Sequence, residues 1–243
     1  MITPKQIAEK TMTPAKREEA RHKYFDFYVG RPISYVLTIP FLYTSITPNM
    51  VTYLSFVFCF IGFGLVSFGT TVTLRVLGSI SFFMWAILDA VDGNIARYKK
   101  VTSVHGDLLD TIGGYLAMVL IFFAFGIGAF YDNQELIHLG LEREWFLILG
   151  CVSSICTMFP RLVLHKKLAS TKNEKEENSL NNLRSKSKFG LPKLIMMNIT
   201  SIGGIIHVFM IFAIVFHAMG LFTIAYAAIN FAVMMASMYK ILR

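Results

Sequence analysis

Apolar residues occur along this chain in six long runs, which are separated by short polar or charged connections. The runs cover approximately residues 47–69, 74–97, 106–130, 145–166, 193–216 and 219–239. A helix needs about 20 apolar residues to cross the hydrocarbon core of a bilayer, where unpaired backbone groups are too costly to bury. The pattern therefore predicts an all-α membrane protein with six transmembrane helices.

The segment ahead of the first predicted span is amphipathic rather than uniformly apolar. Residues 15–43 are basic at the start and then aromatic and apolar, with two prolines and only short apolar runs. This composition favours a helix that lies in the membrane interface over a further span. Thr47-Pro48 then marks the start of the first span, because threonine caps helices and proline favours the first helical position. We expect an N-terminal interfacial segment, residues 1–45, and a six-helix membrane domain, residues 46–243.

Basic residues indicate how the helices are oriented in the membrane. Seven Lys and Arg residues occur up to Arg31, three occur over 97–100, and eight occur in and beside a polar loop at about 167–192. The connections on the opposite side are poor in Lys and Arg. The positive-inside rule therefore places both termini in the cytoplasm, in what we expect to be a bacterial inner membrane. Contact with anionic lipid accounts for the net charge of +8, so nucleic-acid binding is not required.

Four of the six aspartates in the chain fall within 22 residues. Asp89 and Asp92 lie near the end of the second predicted span, and Asp107 and Asp110 lie near the start of the third. A single carboxylate within a span costs about 2.5–3.5 kcal/mol on insertion scales. Four acids so close together would also repel one another unless a cation compensates them. The cluster therefore predicts a functional site.

Helical spacing gives the arrangement of these acids. Asp89 and Asp92 share one helix face with Gly93 and Ala96, and Arg97 lies at the edge of that face. On the third span Asp110 belongs to a stripe of small residues, which allows the two helices to approach closely. Oxygen ligands of this kind suit Mg²⁺, Mn²⁺ or Ca²⁺ better than a metal that prefers soft ligands. Two other interpretations are acids that pair with basic residues at a wet helix end, and a proton or cation pathway.

The residues from Asp89 to Asp110 resemble the motif of the CDP-alcohol phosphotransferases, also called CDP-alcohol phosphatidyltransferases. That motif reads DxxDGxxAR, eight residues, GxxxDxxxD, and seven of its eight fixed positions agree here. The segment Ile46–Thr52 at the start of the first span also resembles the family, as do the six-helix plan and the interfacial N-terminal helix. The resemblance covers roughly residues 15–240.

The resemblance implies an enzyme that transfers a substituted phosphate from a CDP-linked alcohol to a hydroxyl acceptor and releases CMP. It implies a divalent metal, Mg²⁺ or Mn²⁺, and homodimerisation. The implied roles of the residues are as follows: Asp89, Asp92 and Asp110 hold the metal; Asp92, Gly93, Ala96, Arg97 and Gly106 form the nucleotide site, where Arg97 contacts phosphate.

One position departs from the family pattern, because Gly114 stands where the family has its fourth aspartate, the base that deprotonates the acceptor hydroxyl. Another group could serve as the base, and Asp107 or His105 is the nearest candidate. Alternatively, the acceptor or a metal-bound water supplies the base, and Gly114 makes room for an unusual acceptor. In the third interpretation, the protein binds CDP-alcohol without turning it over.

Other choices remain open at the level of sequence. Arg161 and Lys166 are candidates for an acceptor pocket, although they also fit as membrane anchors. Asn198 could reach the cavity or bond a neighbouring helix. The expected donor is CDP-diacylglycerol, in phospholipid or related lipid synthesis. The alternatives are a small polar CDP-alcohol with a lipid acceptor, and a CDP-lipid-binding protein without catalysis.

Overall fold

The computed structural model describes residues 2–101, 103–132, 141–171 and 190–242. Within these ranges the chain is helical, and a π-helical turn, Asp26–Gly30, precedes the third α-helix. The α-helices in chain order are α1 (Pro4–Thr11), α2 (Pro14–Arg21), α3 (Arg31–Leu42), α4 (Pro48–Phe68), α5 (Val72–Lys99), α6 (Val104–Phe130), α7 (Glu144–Ser170), α8 (Leu191–Ile199), α9 (Ile206–Val215) and α10 (Met219–Leu242).

Five of these helices are long and apolar enough to cross a membrane, namely α4, α5, α6, α7 and α10. The prediction of an all-α integral membrane protein is therefore confirmed. The predicted start of the first span also agrees, because the Thr47 side chain accepts a hydrogen bond from the backbone N–H of Met50 and Pro48 is the first residue of α4. Ser103 caps α6 in the same way, through the N–H of Gly106.

The predicted fifth span is not one continuous helix. Helix α8 ends at Ile199, a turn follows at residues 200–205, and α9 adds only ten further residues. Serine and glycine have weak helix propensity, so Ser201, Gly203 and Gly204 favour a break that the apolar composition conceals. Of the predicted polar loop at about 167–192, residues up to Ser170 continue α7, and residues 172–189 lie outside the described part of the chain.

The spanning helices pack through small residues. Helix α4 packs against α5 and α6, and the helices α6, α7 and α10 all pack against one another. At the crossing of α6 and α7, a Cβ on Gly150 would lie 2.9 Å from the Cα of Gly126. A side chain at either position would therefore separate the two backbones, which is the reason that a pair of glycines suits this membrane contact.

The N-terminal segment is more divided than the single interfacial helix expected for residues 15–43. It consists of α2, the π-helical turn and α3, and α1 packs against α3 and α5. Asn198 of α8 ties this segment to the rest of the protein, because its side chain accepts a hydrogen bond from the Tyr24 N–H and donates one to the His22 carbonyl. Of the two roles considered for Asn198, the structure supports a bond to neighbouring backbone.

Candidate functional site

The residues of the aspartate motif meet at a cavity of about 700 Å³. Its walls come from α5, α6, α7 and α10, from the N-terminal segment, and from the end of α8 with the break that follows it. Residues of the motif on these walls are Asp89, Gly93, Arg97, Asp110 and Gly114. Trp85, Met118 and Val233 contribute apolar surface. The cavity therefore combines acids, cations and an apolar wall, as a site for an amphipathic anionic ligand requires.

The three aspartates predicted as metal ligands lie together but face different surroundings. Asp89 and Asp110 line the cavity, and both Asp92 and Asp110 are close enough to Asp89 to repel its charge. Asp92 is buried between helices, where its Oδ2 accepts a hydrogen bond of 2.6 Å from the hydroxyl of Thr52. Thr52 of α4 thus fixes the orientation of Asp92, a role that the sequence did not assign to it.

Arg97 lies directly against Gly93, one helical turn earlier. A Cβ on Gly93 would be 3.0 Å from both terminal nitrogens of the guanidinium group, so a larger residue would displace it. The Nη2 atom donates a 3.3 Å hydrogen bond to Asn94, whose own side chain donates to the hydroxyls of Ser34 and Thr38 on α3. The Arg97 Nε is buried without a hydrogen-bond partner among the described residues. Such a buried donor fits an anionic ligand.

A second arginine at the cavity comes from the N-terminal segment. Arg31 lines the wall together with Asp26, and its Nε lies 3.6 Å from the Asp26 carboxylate, beyond hydrogen-bond distance. Burial raises the pKa of Tyr35, although the nearby charges of Arg31 and Arg97 act in the opposite direction, so this phenol stays protonated at neutral pH. The sequence identified Arg31 only as one of many basic residues ahead of the spans.

Gly114 faces Arg161 of α7 across the cavity wall. A Cβ built on Gly114 would lie 3.5 Å from Nη1 of Arg161, and the other nearest atoms also belong to the guanidinium group. Arg161 is an opposite charge that acts on Asp110 and on Asp89. Lys166, the other predicted acceptor residue, is exposed and does not line the cavity. The structure thus brings Arg161, and not Lys166, to the site.

Four other predicted site residues lie away from the cavity wall: His105, Asp107, Gly106 and Ala96. His105 and Asp107 are exposed near the start of α6, and neither position supports a role as the base. Gly106 instead allows close packing, because a Cβ there would lie 3.1 Å from the Ser103 hydroxyl and 3.2 Å from the Asn49 side chain. Of the positions predicted to leave room for the nucleotide, Gly93 is the one on the wall.

The described residues contain no group of three Asp, Glu, His or Cys side chains already arranged around a common point for a metal ion. The donor set nevertheless fits a hard divalent cation, because it offers carboxylate oxygens that repel one another without a positive charge between them.

A protein-family model described as CDP-alcohol phosphatidyltransferase matches residues 45–238. The match includes α4, α5, α6 and α7, α10 up to residue 238, and the motif from Asp89 to Asp110. No curated protein matches the chain.

Proposed function

We propose, from the premise that this chain belongs to the CDP-alcohol phosphatidyltransferase family, that it transfers a phosphatidyl group from CDP-diacylglycerol to a hydroxyl acceptor and releases CMP. Family membership makes the chain a transferase that acts on a CDP-alcohol. The donor, the need for a divalent metal and the residue roles given below are our proposals. The observation that carries them is the meeting of Asp89, Arg97 and Asp110 on one cavity.

The cavity supports the binding of a diphosphate beside a metal ion. Asp89, Asp92 and Asp110 would hold Mg²⁺ or Mn²⁺, and this ion supplies neutralisation of diphosphate charge when it is bound. Arg97 and Arg31 each present a buried Nε that lacks a hydrogen-bond partner among the residues described. Charge-assisted bonds from these donors to phosphate oxygens would orient the donor for attack. Gly93 leaves the space in which the Arg97 guanidinium lies.

We place the cavity on the cytoplasmic side of a bacterial inner membrane. The α5–α6 connection follows Arg97, Lys99 and Lys100, and it joins the two helices at the end where the acids lie. Positive charge beside helix ends favours the cytoplasmic face. In this orientation, α8 and α9 together provide the sixth crossing as a broken helix, because a break at membrane depth is tolerated where it lines a cavity. Thr200, Ser201 and Gly203 do line this one.

Release of CMP by the purified protein tests the proposed function. The donor is CDP-diacylglycerol with Mg²⁺ or Mn²⁺, and the acceptors are glycerol 3-phosphate, inositol phosphate, serine and a membrane-lipid extract. We expect CMP to form only when metal and one acceptor are both present. Tight CDP binding without CMP release would instead indicate a binding protein. Release from CDP-choline or CDP-ethanolamine with the lipid extract would indicate the opposite pairing, a small polar donor with a lipid acceptor.

Thr52→Val is expected to weaken metal dependence without removing an acid. Valine keeps the shape of threonine but cannot donate to Asp92, so that carboxylate loses the 2.6 Å hydrogen bond that orients it. Loss of such a supporting hydrogen bond typically lowers metal affinity or activity by about 10–100-fold. The Mg²⁺ concentration that gives half-maximal CMP release should rise accordingly. Thr52→Ser, which retains the hydroxyl, serves as the control and should stay close to the unmodified protein. An unchanged metal requirement in Thr52→Val would remove Thr52 from the site.

A further inference from the structure

Guanidinium groups reach the cavity from different elements of the fold. Arg97 of α5 bonds Asn94, and Arg31 lies beside Asp26. Arg161 of α7 also lines the cavity, but the described residues provide it with no ion pair and no hydrogen bond. Its guanidinium carbon lies 5.9 Å from the centroid of the Tyr115 ring, and the acids that act on its charge are Asp110 and Asp89. If these carboxylates bind a cation, Arg161 is left with its charge directed at the cavity.

Gly114 makes this charge accessible to a ligand. The three atoms nearest to a Cβ at position 114 all belong to the Arg161 guanidinium, at 3.5 to 3.9 Å. An aspartate at 114 would therefore project its carboxylate straight at Arg161 and pair with it. With glycine, that volume is open, and Arg161 has no carboxylate partner within the part of the chain that the structure describes.

We infer that Gly114 and Arg161 form an anion subsite in which a phosphate monoester on the acceptor itself takes the place of the missing carboxylate and accepts the proton of the attacking hydroxyl. This inference rests on the proposed function, and it names the acceptor class of the same site. It requires two anionic groups in one cavity, the donor diphosphate near Arg97 and Arg31, and the acceptor phosphate on Arg161. The cationic side chains are distributed over α5, the N-terminal segment and α7 in a way that suits both.

The chemistry balances without any further reactant. The acceptor O–H bond breaks, and its proton moves to an oxygen of the acceptor's own phosphate dianion. The hydroxyl oxygen forms a bond to the phosphorus that carries the lipid alcohol, and the bond from this phosphorus to the CMP oxygen breaks with its electron pair. A phosphate monoester has a second pKa near 6, so it is largely dianionic at neutral pH and can accept this proton. Bidentate contact with the planar guanidinium would hold it in place.

Binding of inorganic phosphate tests the subsite independently of catalysis. Calorimetric titration with saturating CDP and Mg²⁺ occupies the nucleotide side of the cavity first. We expect Arg161→Gln to weaken phosphate binding at least about tenfold, since a charge-assisted pair is lost. The matched control is Lys240→Gln, which makes the same kind of charge change near the C-terminal end of α10. Lys240 is exposed and does not line the cavity, although its neighbour Ile241 does, so this variant should bind phosphate as the unmodified protein does. Equal phosphate binding in Arg161→Gln and Lys240→Gln would overturn the subsite.

Acceptor selectivity tests the proton transfer. The unmodified protein should release CMP with glycerol 3-phosphate or inositol phosphate at least tenfold faster than with glycerol or inositol. Gly114→Asp should reverse this preference, because the new carboxylate pairs with Arg161 and restores a base in the protein. Gly114→Ala adds only a methyl group at van der Waals distance and should keep the original preference.

Equal use of glycerol and glycerol 3-phosphate by the unmodified protein would refute the inference, as would an unchanged preference in a folded Gly114→Asp protein. A protein that releases no CMP with any acceptor would refute the proposed function and the proton transfer together. In that case the phosphate titration still decides whether the anion subsite exists.

Discussion

Asp89→Asn is expected to abolish CMP release and the metal-dependent binding of CDP, and Asp110→Asn is expected to do the same. Both side chains line the cavity, and asparagine keeps their shape while it removes the negative charge that a divalent ion requires. We expect the loss of activity to be about 100-fold or more, because removal of a ligand exceeds the 10–100-fold effect of removing a supporting residue. CMP release and CDP binding in a Mg²⁺ titration measure the two effects separately.

Asp107→Asn provides the matched comparison for this prediction. It makes the same change of charge on α6, one turn before Asp110, but at an exposed side chain that does not reach the cavity. Strong loss in Asp107→Asn would restore Asp107 as a candidate base. Unchanged, metal-dependent CDP binding in both Asp89→Asn and Asp110→Asn would refute the assignment of these residues to a metal. The comparison therefore shows whether activity requires acids that line the cavity or merely a negative charge close to the motif.

The helices could be predicted wherever composition alone decides the structure. Runs of about 20 apolar residues leave a membrane-spanning helix as the stable choice, and α4, α5, α6, α7 and α10 follow. The break between α8 and α9 could not be predicted in the same way, because Ser201 and the two following glycines sit within a run that is apolar on average. The low helix propensity of these residues ends the helix there, and a hydropathy average does not include helix propensity.

Some residues of the site could likewise be predicted from the sequence, and others could not. Asp89, Gly93 and Arg97 repeat every four residues, so one face of α5 could be expected to carry them into the same cavity. Asp92 falls between these positions and turns to Thr52, 40 residues earlier in the chain. The contact of Asn94 with Ser34 spans 60 residues, and Arg31 reaches the cavity from outside the spans. Such contacts depend on how helices pack, and no spacing within one helix encodes them.

Arg97→Gln is expected to lower kcat/KM for CDP-diacylglycerol by about 100-fold, while the protein remains folded. Asn94 itself donates to the hydroxyls of Ser34 and Thr38, so the link from α5 to α3 does not depend on the Arg97 side chain. What disappears is the cation and the buried Nε donor that has no partner among the described residues. Charge-assisted bonds to phosphate are roughly twice as strong as neutral ones, and loss of one of them in a partly dehydrated site supports this magnitude.

Arg97→Lys separates charge from geometry in the same position. Lysine restores the charge as a single ammonium group but cannot form two parallel hydrogen bonds to a phosphate, so we expect only partial recovery, on the order of tenfold over Arg97→Gln. Lys100→Gln removes a positive charge from an exposed position three residues away and should leave kcat/KM unchanged. Equal activity of Arg97→Gln and Lys100→Gln would mean that the donor diphosphate binds elsewhere.

Gly93→Ala should also reduce activity, although it retains every charge. Arg97 lies against Gly93, and the new Cβ would lie 3.0 Å from the guanidinium nitrogens and displace them. A loss in Gly93→Ala together with partial recovery in Arg97→Lys would assign the effect to the placement of the guanidinium group and not to the net charge of the cavity.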